Sequence, residues 1–110
     1  QIYIDVPTHS RLWKEEVFGP VMCCRTFGTE VEAVQVANDS DFGLAATIMT
    51  GSVEQGKTIA KRLRAGHIWI NSFQMIHPSS LWGGFKKSGT GRELGESGMQ
   101  SYLEENVITI

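Results

Sequence analysis

Few side chains in this sequence combine the type and the setting needed for covalent chemistry. Cys23 and Cys24 are its two cysteines. A thiol becomes a nucleophile only where a neighbouring base or cation favours the thiolate. No activating base lies nearby in sequence, so packing within a strand accounts for them better. Adjacent cysteines are a poor geometry for a structural disulfide, and no second pair offers zinc-ligand spacing. They read as reduced thiols, which points to a reducing, cytoplasmic setting. Asn38, Asp39, Ser40 and Asp41 raise the question of calcium. The spaced acids, the Gly and the closing Glu of a calcium loop are missing, and a turn bonded to its own backbone is the better account. His77 precedes a proline and has no acid or cysteine partner at a recognisable spacing. No catalytic residue and no metal ligand is assigned.

Binding is better represented. Trp82 to Gly98, WGGFKKSGTGRELGESG, holds half of the chain's twelve glycines together with lysines, an arginine and glutamates. Glycine serves where the backbone takes positive φ or approaches another group closely, so the run reads as a loop shaped for close contact. The plain alternative is a surface turn with solvated charges. Gly89, Gly91 and Gly95 imitate a dinucleotide fingerprint, but the last spacing is one residue too long, and the run does not open the first helix of a βαβ unit. A free-standing phosphate-binding domain is therefore not supported. Just upstream, Phe73, Met75, Ile76 and Trp82 punctuate SFQMIHPSSLWGG. They are costly to expose singly and make sense as pocket walls, or as a cover for the end of a sheet.

The elements that would position these residues follow from pattern. Ile2 to Val6 is a strand end closed by Pro7, and SRLWKEEVFGPV predicts one helical turn stopped by Gly19 and Pro20. VMCCRTF predicts a buried strand with its cysteines on opposite faces. Thr29 with Glu32 is a capping box that starts a helix running to about Asn38. The turn from Asn38 to Gly43 leads to the strand LAATIMT. Ser52 with Gln55 repeats the capping spacing, on a helix that ends with Gly66 in the left-handed position. HIWIN is the third strand. Strand, helix, strand, helix, strand is a βαβαβ unit, hence a three-layer α/β arrangement with a parallel sheet. Functional groups gather beyond the carboxyl ends of such strands, here at Asn71, Ser72 and Phe73. Gly98 to Leu103 predicts a short helix. Asn106 to Ile110 is a β-branched end strand that needs a sheet edge to join, such as one on another subunit.

Composition narrows the classes further. At 110 residues the chain is one domain or part of one, with 41% apolar and 20% charged residues. A net charge of −2 gives no electrostatic case for nucleic acid. The apolar runs are far short of a membrane span, and the start lacks a leader pattern. The chain begins at Gln1 inside an apparent strand, which reads as a piece cut from something longer.

Taken in order, EEVFGPV at 15–21, ANDSDFGLAATIMT at 37–50, AGHIWINSF at 65–73 and WGGFKKSGTGRELGESGMQSYLE at 82–104 resemble the C-terminal part of the NAD(P)-dependent aldehyde dehydrogenase superfamily. The resemblance covers essentially the whole chain. It implies that residues 1–104 belong to the catalytic domain and 105–110 form an oligomerisation strand. It implies a cofactor role for Glu16, whose carboxylate would accept the hydroxyls of the nicotinamide-side ribose, and for Phe18, packed near the nicotinamide of NAD, with NADP left open. It points to Ile76 and Trp82 as walls of the aldehyde funnel. Leu81 and Trp82 depart from the commoner PFGG pattern. A tryptophan there resembles the betaine- and amino-aldehyde branch, where aromatic faces hold a cationic substrate. Arg92 and Glu104 match positions that pair near a subunit interface, in a dimer or tetramer. Lys86 to Gly89 matches a turn where some members bind a monovalent cation. The family's cysteine nucleophile and glutamate base fall upstream of Gln1, and Cys23 and Cys24 do not match the nucleophile, so these residues alone are expected to be inactive. The competing reading is a non-enzymatic α/β interaction module that kept the fold and lost the chemistry.

Overall fold

A computed structural model describes residues 1–72 and 74–110, so the pocket-wall expectation for Phe73 lies outside the described residues. The chain divides into two units, Gln1–Asp41 and Phe42–Ile110.

In the first unit, β1 (Ile2–Ile4) pairs in parallel with β2 (Met22–Cys24), with Ile2 opposite Met22 and Ile4 opposite Cys24. Between them lies α1 (Arg11–Lys14), the expected single turn. Ser10 caps it, its hydroxyl accepting the Trp13 N–H at 3.3 Å. The helix α2 (Glu30–Asn38) starts at Thr29, whose hydroxyl accepts the Glu32 N–H at 3.2 Å. The reciprocal bond falls one residue earlier than a capping box requires, because the Glu32 carboxylate accepts from Gly28 N–H at 2.8 Å. That bond still satisfies a donor just outside the helix.

In the second unit, β4 (Ala45–Ile48) and β5 (His67–Ile70) form a parallel pair joined by α3 (Val53–Ala60). This is a βαβ unit. Ser52 caps α3, accepting the Gln55 N–H at 3.3 Å. Gly56 lets the helix lie on the strand end, since a Cβ there would meet Ile70 Cγ2 at 2.9 Å. Asn71 clasps the two strand ends. Its side chain accepts the Thr50 N–H and donates to the Thr50 carbonyl, both at 2.8 Å, while its own backbone is left-handed.

Several expectations change in detail. Phe42–Gly43 is not turn but a two-residue strand, β3, antiparallel to β6 (Phe85–Lys86), so the glycine run contains strand as well as loop. The run also opens α4 (Gly95–Met99), which begins earlier than expected and continues as a 3₁₀ turn at Gln100–Tyr102. Gly66 does not adopt positive φ. Its glycine is required by proximity, because a Cβ would stand 1.7 Å from the Gly83 carbonyl oxygen. Among the described residues the strands pair two by two, as β1 with β2, β3 with β6 and β4 with β5, rather than as one three-stranded sheet. Residues 103–110 are exposed and form no strand, since a β-branched segment gains ladder bonds only against an edge.

Apolar burial is sparse. Among the described residues, Val6 and Val34 are the buried hydrophobic side chains, while Ile2, Ile4 and Met22 on one face of the first ladder are exposed.

Candidate functional site

The first unit carries an open groove of about 570 Å³ lined by Leu12, Glu15, Glu16, Val17, Phe18, Gly19, Val21 and Cys23. It arises where α1 stops and the chain bends toward β2. Glu15 leaves the helix with extended backbone, its N–H still bonded to the Arg11 carbonyl at 2.8 Å. Arg11 grips the Glu15 carboxylate with two bonds, 2.8 and 2.9 Å. The hydrogen bond, aided by the charge, holds the Glu15 carboxyl below its usual range and the Arg11 guanidinium above its own. Glu16 is exposed on the groove wall. Phe18 has φ +52° and is 93% exposed. A bulky residue in the left-handed region costs roughly 1–3 kcal/mol and persists where surrounding structure imposes it. The Cys23 thiol donates to the Leu12 carbonyl at 3.6 Å, tying the strand floor to α1.

The groove therefore combines adjacent carboxylates with a free aromatic face. Carboxylate acceptors beside an exposed ring suit a group that carries vicinal hydroxyls and a planar ring. The sequence singled out Glu16 and Phe18, and the structure places both on this one groove. Cys23 was read as strand packing and Leu12 only as part of the helical turn.

The second unit holds the candidate substrate wall. Trp82 is half-buried and locked by a backbone bridge to Glu93, with N–H to carbonyl bonds of 2.8 and 2.7 Å. Its ring lies 5.6 Å from that of His67 and 6.1 Å from that of Trp69, and His67 and Trp69 are 4.4 Å apart. Neither His67 nor Trp69 was picked out from the sequence. The signal was there, because alternation puts both on one face of HIWIN. Ile76 is exposed in the following loop, which Trp69 anchors by donating its indole N–H to the Met75 carbonyl at 3.0 Å.

Arg92 faces a second groove of about 410 Å³, lined among others by Trp82, Gly84, Ser88, Gly91 and Tyr102. Its Nη1 donates to the carbonyls of Gly84 at 2.9 Å and Gly91 at 2.8 Å, and its guanidinium lies 5.1 Å from the Phe85 ring centroid. Glu104 is exposed in the tail, and among the described residues no ion pair joins it to Arg92 within this chain. At Lys86 to Gly89 a tight turn is closed by Ser88 and Gly89 N–H groups on the Phe85 and Lys86 carbonyls, at 3.1 and 3.3 Å. Among the described residues no cluster of three or more His, Cys, Asp or Glu could hold a metal ion.

A mixed α/β frame with parallel strands, a groove lined by carboxylates and an aromatic cluster places the chain in the α/β class. Comparison makes it specific. Residues 1–108 match the aldehyde dehydrogenase family, and the chain belongs to it. It is 44% identical over 108 residues to the peroxisomal aminoaldehyde dehydrogenase 2 of Pisum sativum, covering 98% of this chain and 22% of that protein. It is equally similar, 44% over 108 residues with the same shares, to the chloroplastic betaine aldehyde dehydrogenase of Atriplex hortensis. A crystal structure of betaine aldehyde dehydrogenase from Staphylococcus aureus in complex with NAD+ superimposes with a TM-score of 0.90 at 42% identity, over 94% of this chain and 20% of that one. The chain thus spans about a fifth of the length of the relatives it matches. Among the described residues no helix is long and apolar enough to cross a membrane.

Proposed function

We propose that this chain is the C-terminal part of the catalytic domain of an NAD-dependent aldehyde dehydrogenase of the betaine- and amino-aldehyde branch, with residues 105–110 serving as an oligomerisation strand. The observation that carries the reading is that Glu16 and Phe18 share one groove in a chain 44% identical to relatives of that branch. Bound NAD supplies the acceptor for the hydride of the aldehyde. Glu16 accepts the ribose hydroxyls, and Phe18 offers its bare face to the nicotinamide ring. Trp82 holds a cationic aldehyde by its π face, with Ile76 on the same funnel. The nucleophile and the water-activating carboxylate come from the rest of the parent enzyme. The exposed apolar face of Ile2, Ile4 and Met22 supports this, since such a face is stable when covered.

Arg92 and Glu104 act at the interface of a homodimer or homotetramer, where the tail finds its sheet edge. The free thiols of Cys23 and Cys24 suit a reducing compartment such as the cytoplasm.

The test is NAD-dependent oxidation of betaine aldehyde and of an ω-aminoaldehyde by the full-length protein. Turnover of both, with none by residues 1–110 alone, is expected. A full-length protein that assembles but oxidises no aldehyde would instead establish the interaction-module reading.

A further inference from the structure

Trp69 joins two features that the chain otherwise keeps apart. Its indole N–H is bonded to the Met75 carbonyl at 3.0 Å, which fixes the loop carrying Ile76. Its ring stands 6.1 Å from that of Trp82 and 4.4 Å from that of His67. The strand beneath it is rigid, because β5 is in register with β4 and its end is clasped by the two Asn71 to Thr50 bonds of 2.8 Å. Trp82 is held independently by its bridge to Glu93. The loop from Gln74 to Ser80 is mostly exposed, and Gln74 has left-handed backbone at φ +57°. The Gly95 N–H holds the far end of this loop on the Pro78 carbonyl at 2.9 Å, and the Trp69 bond holds the near end beside Ile76, toward the aromatic face.

We propose that Trp69 is a positioning residue for aldehyde recognition. It sets the spacing of the substrate wall by tying the Ile76 loop to the strand that also carries the aromatic contact with Trp82. The proposal rests on the aldehyde dehydrogenase reading above. Trp69 touches neither substrate nor cofactor in this role, so its removal acts on aldehyde binding and leaves the nicotinamide groove unaffected.

The experiment is steady-state kinetics on the full-length enzyme with Trp69→Phe, which keeps a ring and deletes the N–H. Loss of one hydrogen bond predicts an aldehyde KM raised by about threefold or more, with the KM for NAD and kcat within about twofold. Hydrogen exchange of the 74–80 amides is expected to quicken in the variant, and this readout remains if kinetics are complicated by weaker folding. Trp82→Ala serves as the control. If Trp82→Ala raises the aldehyde KM while Trp69→Phe changes neither that KM nor loop exchange, the proposal is overturned and the aldehyde reading stands. If the wild-type enzyme oxidises no aldehyde, both fall.

Discussion

The groove around Glu16 and the wall around Trp82 are built in opposite ways. In the groove, position is set by backbone. A four-residue helix ends, the chain turns through a left-handed Phe18, and side chains are left bare. At the wall, position comes from interlock. Gly66 sits against Gly83, Arg92 bonds the carbonyls of Gly84 and Gly91, and three aromatic rings contact one another. The difference teaches where each surface is vulnerable. The groove tolerates loss of a neighbour but not of its bend, whereas the wall fails when one interlocked group is enlarged.

Gly66→Ala should give the largest effect. Its Cβ would stand 1.7 Å from a carbonyl oxygen that cannot rotate away. Overpacking of ordinary cores costs roughly 1–3 kcal/mol, and backbone against backbone belongs at or above the top of that range. Thermal denaturation of the full-length enzyme should show a drop of several degrees, or no soluble protein. An unchanged melting temperature would break the interlock account. Trp82→Ala comes next. Cation–π attraction is worth about 0.5–2 kcal/mol, so preference for betaine aldehyde over a neutral aldehyde of similar size should fall about two- to thirtyfold. An unaltered preference would remove Trp82 from recognition. Ser52→Ala removes the cap of α3, which costs about 1 kcal/mol in denaturant titration and leaves the KM for NAD unaltered.

The smallest effect is expected at Arg11→Ala. The Glu15 carboxyl, held low mainly by its hydrogen bond to Arg11, should return toward the ordinary carboxylate range, as read by NMR titration. A depressed folded pKa contributes stability above the unfolded value and loses it as pH falls through the folded one. The wild type should therefore lose this slight contribution only in acid, and the variant should lack it throughout. Both side chains are exposed, so the stability change is small.

Legibility followed the same divide. Local signals were enough for α1, for α2 and α3 with their Thr29 and Ser52 caps, and for the strands at 22–24, 45–48 and 67–70, because periodicity and capping act over a few residues. Glu16 and Phe18 came from the family resemblance of EEVFGPV and not from any local pattern, although Gly19 and Pro20 already marked the bend beside them. Local signals did not reach the pairing of Phe42–Gly43 with Phe85–Lys86, more than forty residues away in sequence. Nor did they reveal why residue 66 is glycine, since the reason lies in Gly83 and not in the turn itself. The grouping of His67 and Trp69 with Trp82 needed the fold, although alternation already placed the first two on one face.

The central claim is that this chain reads the nicotinamide-side ribose through Glu16, and NAD binding to the full-length Glu16→Gln variant tests it most directly. Charge-assisted hydrogen bonds of about 1.5–3 kcal/mol predict that calorimetry will show affinity for NAD reduced by roughly tenfold or more, with the aldehyde KM unchanged. Wild-type affinity in that variant would contradict the account.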